Sequence, residues 1–212
     1  MQTTFPQLLL THAKQRPTAP AMREKEYGIW QTISWQDMAT MVANMACGLH
    51  QAGLKRGEHM VVVGSNRPRL YATMLAAQSL GAIPIPLYQD AAASECVFPL
   101  TNAEVRLCVV EDQEQVDKML EVRETYTALE HIYYDDPRGL RKYDEPGLGS
   151  VDELLAAGEV FSKQHPHFYK EQVEAGTKDD VAAMFFTSGT TGNPKGVVHT
   201  HGTLIDRAQA GA

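Results

Sequence analysis

Between His59 and Tyr134 short apolar runs alternate with longer stretches of helical spacing, and that alternation leaves few folds open. His59 to Gly64, with Met60-Val61-Val62-Val63 inside it, reads as a strand, and Ser65-Asn66-Arg67-Pro68 is a helix start. Leu70 to Leu80 is apolar on nearly every side and ends at Gly81, so such a helix must be covered all round. Ile83-Pro84-Ile85-Pro86-Leu87 is a strand whose two prolines remove donors from one side only, which places it at a sheet border or beside a loop. Ser94 to Ala103 reads as a helix interrupted at Pro99, Val105 to Val110 as a strand and Gln113 to Arg123 as a helix. His131 to Tyr134 is a further strand, closed by Asp135-Asp136-Pro137. Strands separated by helices of about ten residues or more predict βαβ units. The expected class is therefore α/β, with a largely parallel sheet flanked by helices.

The flanking segments are shorter arguments of the same kind. Pro6 to Gln15 places Leu8, Leu9 and Ala13 on a helix face that ends at Pro17. Ala21 to Lys25 and Ile29 to Ile33 are β-prone runs around Tyr27-Gly28, the pattern of a hairpin. Ser34 with Asp37 opens a helix whose Trp35, Met38, Ala39, Val42, Met45, Ala46 and Leu49 recur at helical spacing until Gly53. Its methionines suit core packing, since Met fills irregular gaps. Arg138 to Gly149 is rich in Gly, Pro and charge and reads as a surface excursion. Ser150 with Glu153 caps Leu154-Leu155-Ala156-Ala157, and His165 to Ala175 is a weak helix.

Composition excludes several classes. In 212 residues, 43% hydrophobic and 21% charged, there is enough apolar material for a substantial core. The net charge of −7 comes without a basic stripe, which argues against a nucleic-acid partner. Cys47, Cys96 and Cys108 are odd in number, far apart and set among apolar neighbours, so they read as buried free thiols in a reducing compartment such as the cytoplasm. The first residues have no basic n-region and only a three-leucine run behind them, unlike a signal peptide. Leu70 to Gln89 has no charge and is long enough to cross a bilayer, but Gln78, Ser79, Gly81, Pro84 and Pro86 break it. A buried helix followed by a strand explains it better.

One polar stretch stands between apolar runs near the end of the chain: Thr187-Ser188-Gly189-Thr190-Thr191-Gly192-Asn193-Pro194-Lys195-Gly196, after Val181 to Phe186 and before Val197-Val198. It reads as a loop joining two strands. Its glycines let backbone N–H groups converge on an anion, its four hydroxyls in five positions donate further bonds, and Lys195 adds a positive charge with no acid in the stretch. Those are the properties that hold a polyphosphate. The Walker spacing is absent, because Lys195 is followed by Gly196 and the next residues look like a strand, so no helix dipole stands behind the phosphates. Composition alone also fits a surface hairpin whose Asn-Pro and Lys-Gly make turns.

Phe186 to Val197 resembles the signature loop of the adenylate-forming (AMP-binding) superfamily, which contains acyl-CoA synthetases, peptide-synthetase adenylation domains and beetle luciferases. Arg23-Glu24-Lys25, Gly28-Ile29-Trp30 and Thr32-Ile33-Ser34-Trp35 are similar to the opening of its long-chain fatty-acyl-CoA synthetase branch. Weaker likeness continues through Tyr133 to Leu140 and Asp179 to Ala182. The resemblance implies an N-terminal part of that fold, with residues 1–178 as its α/β portion and 179–212 as the phosphate-loop hairpin and the start of a further segment.

What the resemblance implies chemically is a two-step reaction: a carboxylate attacks the α-phosphate of ATP, releasing pyrophosphate, and coenzyme A then takes the acyl group from the acyl-adenylate. ATP, a fatty acid and coenzyme A would be the small-molecule partners and Mg²⁺ the metal. Thr187, Ser188, Gly189, Thr190, Thr191, Gly192, Lys195 and Gly196 would bind phosphates, Thr190 would lie at the metal and Lys195 would act in catalysis. Segments for adenine, ribose, Mg²⁺ placement and a C-terminal lid lie further along in relatives, so the 212 residues alone are expected not to turn over ATP. The alternatives are an adenylation domain of another type, such as a peptide-synthetase module, and a non-catalytic remnant of the fold. Association with the remainder of the enzyme, a homodimer and peripheral membrane contact are all compatible with this reading. His199 and His201 alternate on the expected strand and would share one face, from which His201 could approach the acid substrate.

Overall fold

The computed structural model describes residues 3–187 and 193–211. The chain opens with α1 (Phe5–Gln15), the hairpin β1 (Pro20–Glu26) and β2 (Ile29–Ser34), and α2 (Trp35–Gln51). There follow β3 (His59–Val63), α3 (Pro68–Ser79), β4 (Ile83–Leu87), α4 (Ala93–Asn102), β5 (Leu107–Val110), α5 (Gln113–Thr125), β6 (His131–Tyr134) and β7 (Leu148–Ser150). The last elements are α6 (Val151–Gln164), α7 (Phe168–Glu174), the hairpin β8 (Val181–Thr187) and β9 (Lys195–Thr200), and α8 (His201–Ala210).

β4, β3, β5, β6 and β7 form, in that order, a parallel five-stranded sheet. Side chains alternate across it as a strand's period of two requires. Met60, Val62, Leu107 and Val109 face a layer made by α1, α2, α3 and α6, whereas Val61, Val63, Ile85, Cys108, Val110 and Ile132 face α4 and α5. Runs of buried Val and Ile thus reflect a sheet covered on both faces. Met38 and Met45 are buried in the first layer, as the helical spacing implies, and the three cysteines are free and buried. Among the described residues no helix is long and apolar enough to cross a membrane, and the Leu70 to Gln89 stretch is α3 followed by β4.

Helix starts follow their local chemistry. Ser34 accepts from the Asp37 N–H at 3.1 Å while Asp37 returns a bond to the Ser34 N–H, a capping box, and Ser150 with Glu153 does the same for α6. The hairpin turn Tyr27-Gly28 has φ of 46° and 81°, both left-handed, which is what a two-residue turn between twisted strands requires. β4 lies at the border of the sheet. The Ile83 N–H donates toward the β3 side, to the Glu58 carbonyl at 2.8 Å, so Pro84 and Pro86 face the open edge where no donor is needed.

Two expectations need correction. α4 runs through Pro99 without interruption: the proline costs one intrahelical bond, but Cys96, Pro99 and Leu100 are buried against the sheet and hold the helix straight through. The stretch 138–149 is not wholly a surface excursion, because Leu148 begins β7, which pairs with β6 from Ile132↔Leu148 to Tyr134↔Ser150. α6 begins at the Ser150–Glu153 cap as expected and runs to Gln164, with Gly158 set against the Asn44 carbonyl and Gly48 against the Leu154 carbonyl, so α2 and α6 cross at backbone contact.

Candidate functional site

The hairpin β8–β9 is antiparallel, with Phe185 opposite Val197, Phe186 opposite Gly196 and Thr187 opposite Lys195. Pairing at Thr187 and Lys195 brings the two ends of the polar stretch side by side. Ser188, Gly189, Thr190, Thr191 and Gly192 lie outside the described residues. Of the remaining candidates, Thr187, Lys195 and Gly196 are all exposed, and Thr187 Oγ1 is 3.5 Å from the Lys195 carbonyl oxygen. Among the described residues no carboxylate is within ion-pair distance of Lys195. A Cβ at position 196 would press on the Met184 sulfur at 3.0 Å, so the glycine also lets the strands pack.

The root of the hairpin is firmly held. Ala182 and Ala183 are buried, the Gln78 side-chain amide donates to the Ala182 carbonyl at 2.8 Å, and the Phe186 ring meets Phe98 edge to face at 6.4 Å. Just before β8, the Asp180 carboxylate accepts from the Thr177 N–H and hydroxyl and meets Arg56 at 3.4 Å.

His199 and His201 do not share a strand face. β9 ends at Thr200, whose hydroxyl accepts from the Thr203 N–H and caps α8. His199 stays on the face of Phe185, with the rings 5.7 Å apart. His201 turns inward and is buried, its Nδ1 accepting the Phe5 N–H at 3.3 Å. The Thr200-His201 boundary looked like strand because β-branched and apolar residues precede it; the threonine is a helix cap instead.

A second cluster, not foreseen, lies at the carboxyl ends of the parallel strands. β3 leads to α3 on one face of the sheet and β5 leads to α5 on the other, so the crevice between them is a topological switch point, the usual place for ligands in open α/β sheets. The Glu111 carboxylate bridges it, accepting from the Ser65 N–H at 2.5 Å, the Ser65 hydroxyl at 2.7 Å and Arg67 Nε at 2.7 Å. Burial alone would raise its pKa, but these donors outweigh burial and hold the carboxyl below its ordinary range. Arg69 links Asp135 and Asp152, each at 2.7 Å. The crevice opens into a groove of about 660 Å³ whose rim includes Glu24, Lys25, Asp136 and Arg138. The signal for this cluster was a polar residue directly after each strand, Ser65 and Glu111.

A three-layer parallel α/β unit that ends in an exposed Thr187–Lys195 hairpin has the architecture of the first part of an adenylate-forming enzyme. The chain belongs to the AMP-binding enzyme family, whose model matches residues 9–211. It is 26% identical over 202 residues to a long-chain-fatty-acid–CoA ligase (ACSBG2) of Homo sapiens, covering 95% of this chain and 29% of that protein. It is 27% identical over 186 residues to fatty acyl-CoA synthetase A of Dictyostelium discoideum, covering 87% of this chain and 27% of the relative. The fold is similar to that of the anthranilate CoA ligase AuaEII in complex with anthranoyl-AMP, with a TM-score of 0.77 at 18% identity over 99% of this chain and 37% of the other. It is also similar to a fatty acyl-adenylate ligase from L. pneumophila in complex with acyl adenylate and pyrophosphate, with a TM-score of 0.71 at 16% identity over 98% of this chain and 32% of the other. The chain therefore spans less than a third of the curated relatives it matches.

Proposed function

We propose that these residues are the N-terminal part of an ATP-dependent acyl-CoA ligase that activates a fatty, long-chain carboxylate as its adenylate and passes it to coenzyme A. The observation that supports this most is family membership over residues 9–211, together with the intact glycine, threonine and lysine sequence between two strands that pair at Thr187 and Lys195. In this reading Thr187, Ser188, Thr190 and Thr191 supply hydroxyls to the β- and γ-phosphates. Gly189, Gly192 and Gly196 leave the backbone N–H groups uncovered, and Lys195 stabilises the charge that grows on departing pyrophosphate. Mg²⁺ would neutralise part of that charge, and Thr190 is the residue that would hold it. The residues between 179 and 212 act as the phosphate-binding unit, and residues 1–178 as the α/β body that carries it.

The substrate side rests on the long-chain ligase relatives alone, and the 212 residues by themselves are proposed not to complete a turnover, since the relatives are more than three times longer. A fatty-acid-dependent release of pyrophosphate from ATP, measured with these residues in a polypeptide of the relatives' length, tests the reaction. Lys195→Ala is expected to slow it by about 10²- to 10³-fold, the usual cost of one donor to a developing anion. An unchanged rate at saturating ATP would remove Lys195 from the mechanism. Acyl-AMP made by the isolated 212-residue chain would overturn the proposal that it is incomplete.

A further inference from the structure

β8 carries one irregularity, and it lies where the hairpin leaves the body. Val181 is opposite Thr200 and Ala183 is opposite His199, so Ala182 is an extra residue on β8 with no counterpart on β9, a β-bulge. Packing shows the same thing: Ala182 and Ala183 are successive residues, yet both are buried, where a regular strand would turn one of them outward. A bulge bends its strand and increases the local twist. The direction in which the outer parts of β8 and β9 leave the body is thus set at Ala182.

A bulged residue is left out of the ladder, and a buried carbonyl needs a donor from somewhere. β8 runs alongside β4, but Pro84 and Pro86 have no N–H to give. The donor is Gln78 Nε2 on α3, 2.8 Å from the Ala182 carbonyl oxygen, and among the described residues this is the one hydrogen bond from residues 3–180 to β8 or β9. Gln78 itself is rigidly placed. Its carbonyl accepts the Gly81 N–H at 3.0 Å, and Ala76, Ala77 and Ser79 around it are buried. Of its two amide atoms only the donor is used, since Gln78 Oε1 is buried and meets no partner among the described residues. Beyond the bulge β8 is held by Met184 and Phe186, whose apolar packing is non-directional. Five residues of strand reach about 17 Å, so a small change of angle at Ala182 becomes a displacement of ångströms at Thr187 and at Lys195 opposite it.

We propose that Gln78 is a positioning residue for adenylation: by holding the Ala182 bulge it sets where Thr187 and Lys195 stand when the phosphates of ATP arrive. This rests on the ligase reading. The test is Gln78→Met, which keeps the length of the side chain and removes both polar atoms. In a polypeptide of the relatives' length, the KM for ATP in fatty-acid-dependent pyrophosphate release is expected to rise about tenfold, the equivalent of one hydrogen bond, while the KM for the fatty acid is unchanged. In the 212-residue chain the urea midpoint should stay where it is, because one unpaired buried acceptor, Gln78 Oε1, is exchanged for another, the Ala182 carbonyl. The carbonyl ¹³C resonance of Ala182 should move upfield as its bond is lost. A contact that serves stability alone would lower the urea midpoint and the yield of active enzyme but leave the KM for ATP as it was, and that result would overturn the proposal. An Ala182 resonance that does not move, or a KM for the fatty acid that rises as much as that for ATP, would overturn it as well. The two readings fail separately: a wild-type protein that releases no pyrophosphate sinks the ligase reading and the positioning role with it, whereas an active wild type with an unchanged KM for ATP in Gln78→Met sinks the positioning role alone.

Discussion

The imidazole of His201 accepts the backbone N–H of Phe5 at 3.3 Å, joining residues 196 apart in sequence. The two rings meet edge to face at 5.5 Å, and His201 is only 2% exposed. A buried ring that accepts a hydrogen bond must stay neutral. Burial accordingly lowers its pKa to about 4, against a weaker upward pull from Asp180. The unfolded chain, with an ordinary value near 6.5, binds the proton more readily, so this contribution is fully present above about pH 6.5 and is lost as the pH falls towards about 4. The span corresponds to about 3 kcal/mol. Urea unfolding at pH 7.5 and pH 4.5 should show the wild-type chain losing markedly more stability than His201→Gln. Equal losses would mean that the imidazole is protonated as easily in the fold as outside it.

That contact marks where sequence stopped being informative. The β3–α3–β4 and β5–α5–β6 units were legible because each strand is a continuous apolar run and each helix has a start signal such as Pro68 or Asp112. The hairpin around Lys195 was legible for the same reason. β7 was not, since a strand written Leu148-Gly149-Ser150 has no β-prone residue beyond the first and exists because Gly149 lets the Tyr133 ring lie against it. The fate of His201 and the Ser65–Glu111 bridge were also unreadable, because both depend on which residues distant in sequence meet across the sheet.

At the switch point, Ser65 contributes two of the donors that keep Glu111 ionised. Ser65→Ala removes the hydroxyl and leaves the N–H, so the Glu111 pKa should rise. The cost at neutral pH should be about 1 kcal/mol, the usual net worth of such a bond. In the native protein the depressed carboxyl stabilises the fold above an ordinary glutamate value of about 4.3, and this is lost as the pH falls through its lower folded value. An NMR titration of the Glu111 carboxyl in both proteins checks the shift. A titration that does not move would assign the low pKa to the Ser65 N–H and Arg67, with no share for the hydroxyl.

Glycine inside a helix is normally replaced by alanine with a gain of up to about 1 kcal/mol. Gly158 in α6 should show the reverse sign. A methyl group there would run into the Asn44 carbonyl and the Gly48 N–H side of α2, both backbone and unable to rotate away. Gly158→Ala is expected to destabilise the chain by about 1–3 kcal/mol in chemical denaturation, the usual range for overpacking. Gly48→Ala, which meets the Leu154 carbonyl from the other side, should behave alike. The double variant should cost less than both single costs combined, because the first substitution already parts the helices. Full additivity would contradict a shared crossing.

β8 lies alongside β4 without joining its sheet, and the two prolines of β4 give the reason. The Ile83 N–H is used on the β3 side, so the nitrogens of residues 84 and 86 are the ones that would serve β8, and neither has a hydrogen. The hairpin is thereby kept as a separate two-stranded unit, tied to the body by Gln78 and by packing of Met184 and Phe186. Replacing Pro84 and Pro86 together by valine supplies the two missing donors while leaving apolar side chains of similar size. The amides at 84 and 86 are then expected to bond to carbonyls of the adjacent β8 and become slow to exchange with deuterium. If the ligase reading holds, annexing β8 should also restrain the turn after Thr187 and change nucleotide affinity without touching any phosphate-facing residue. Rapid exchange at both positions would mean that the strands are held apart by side-chain packing, with the prolines incidental.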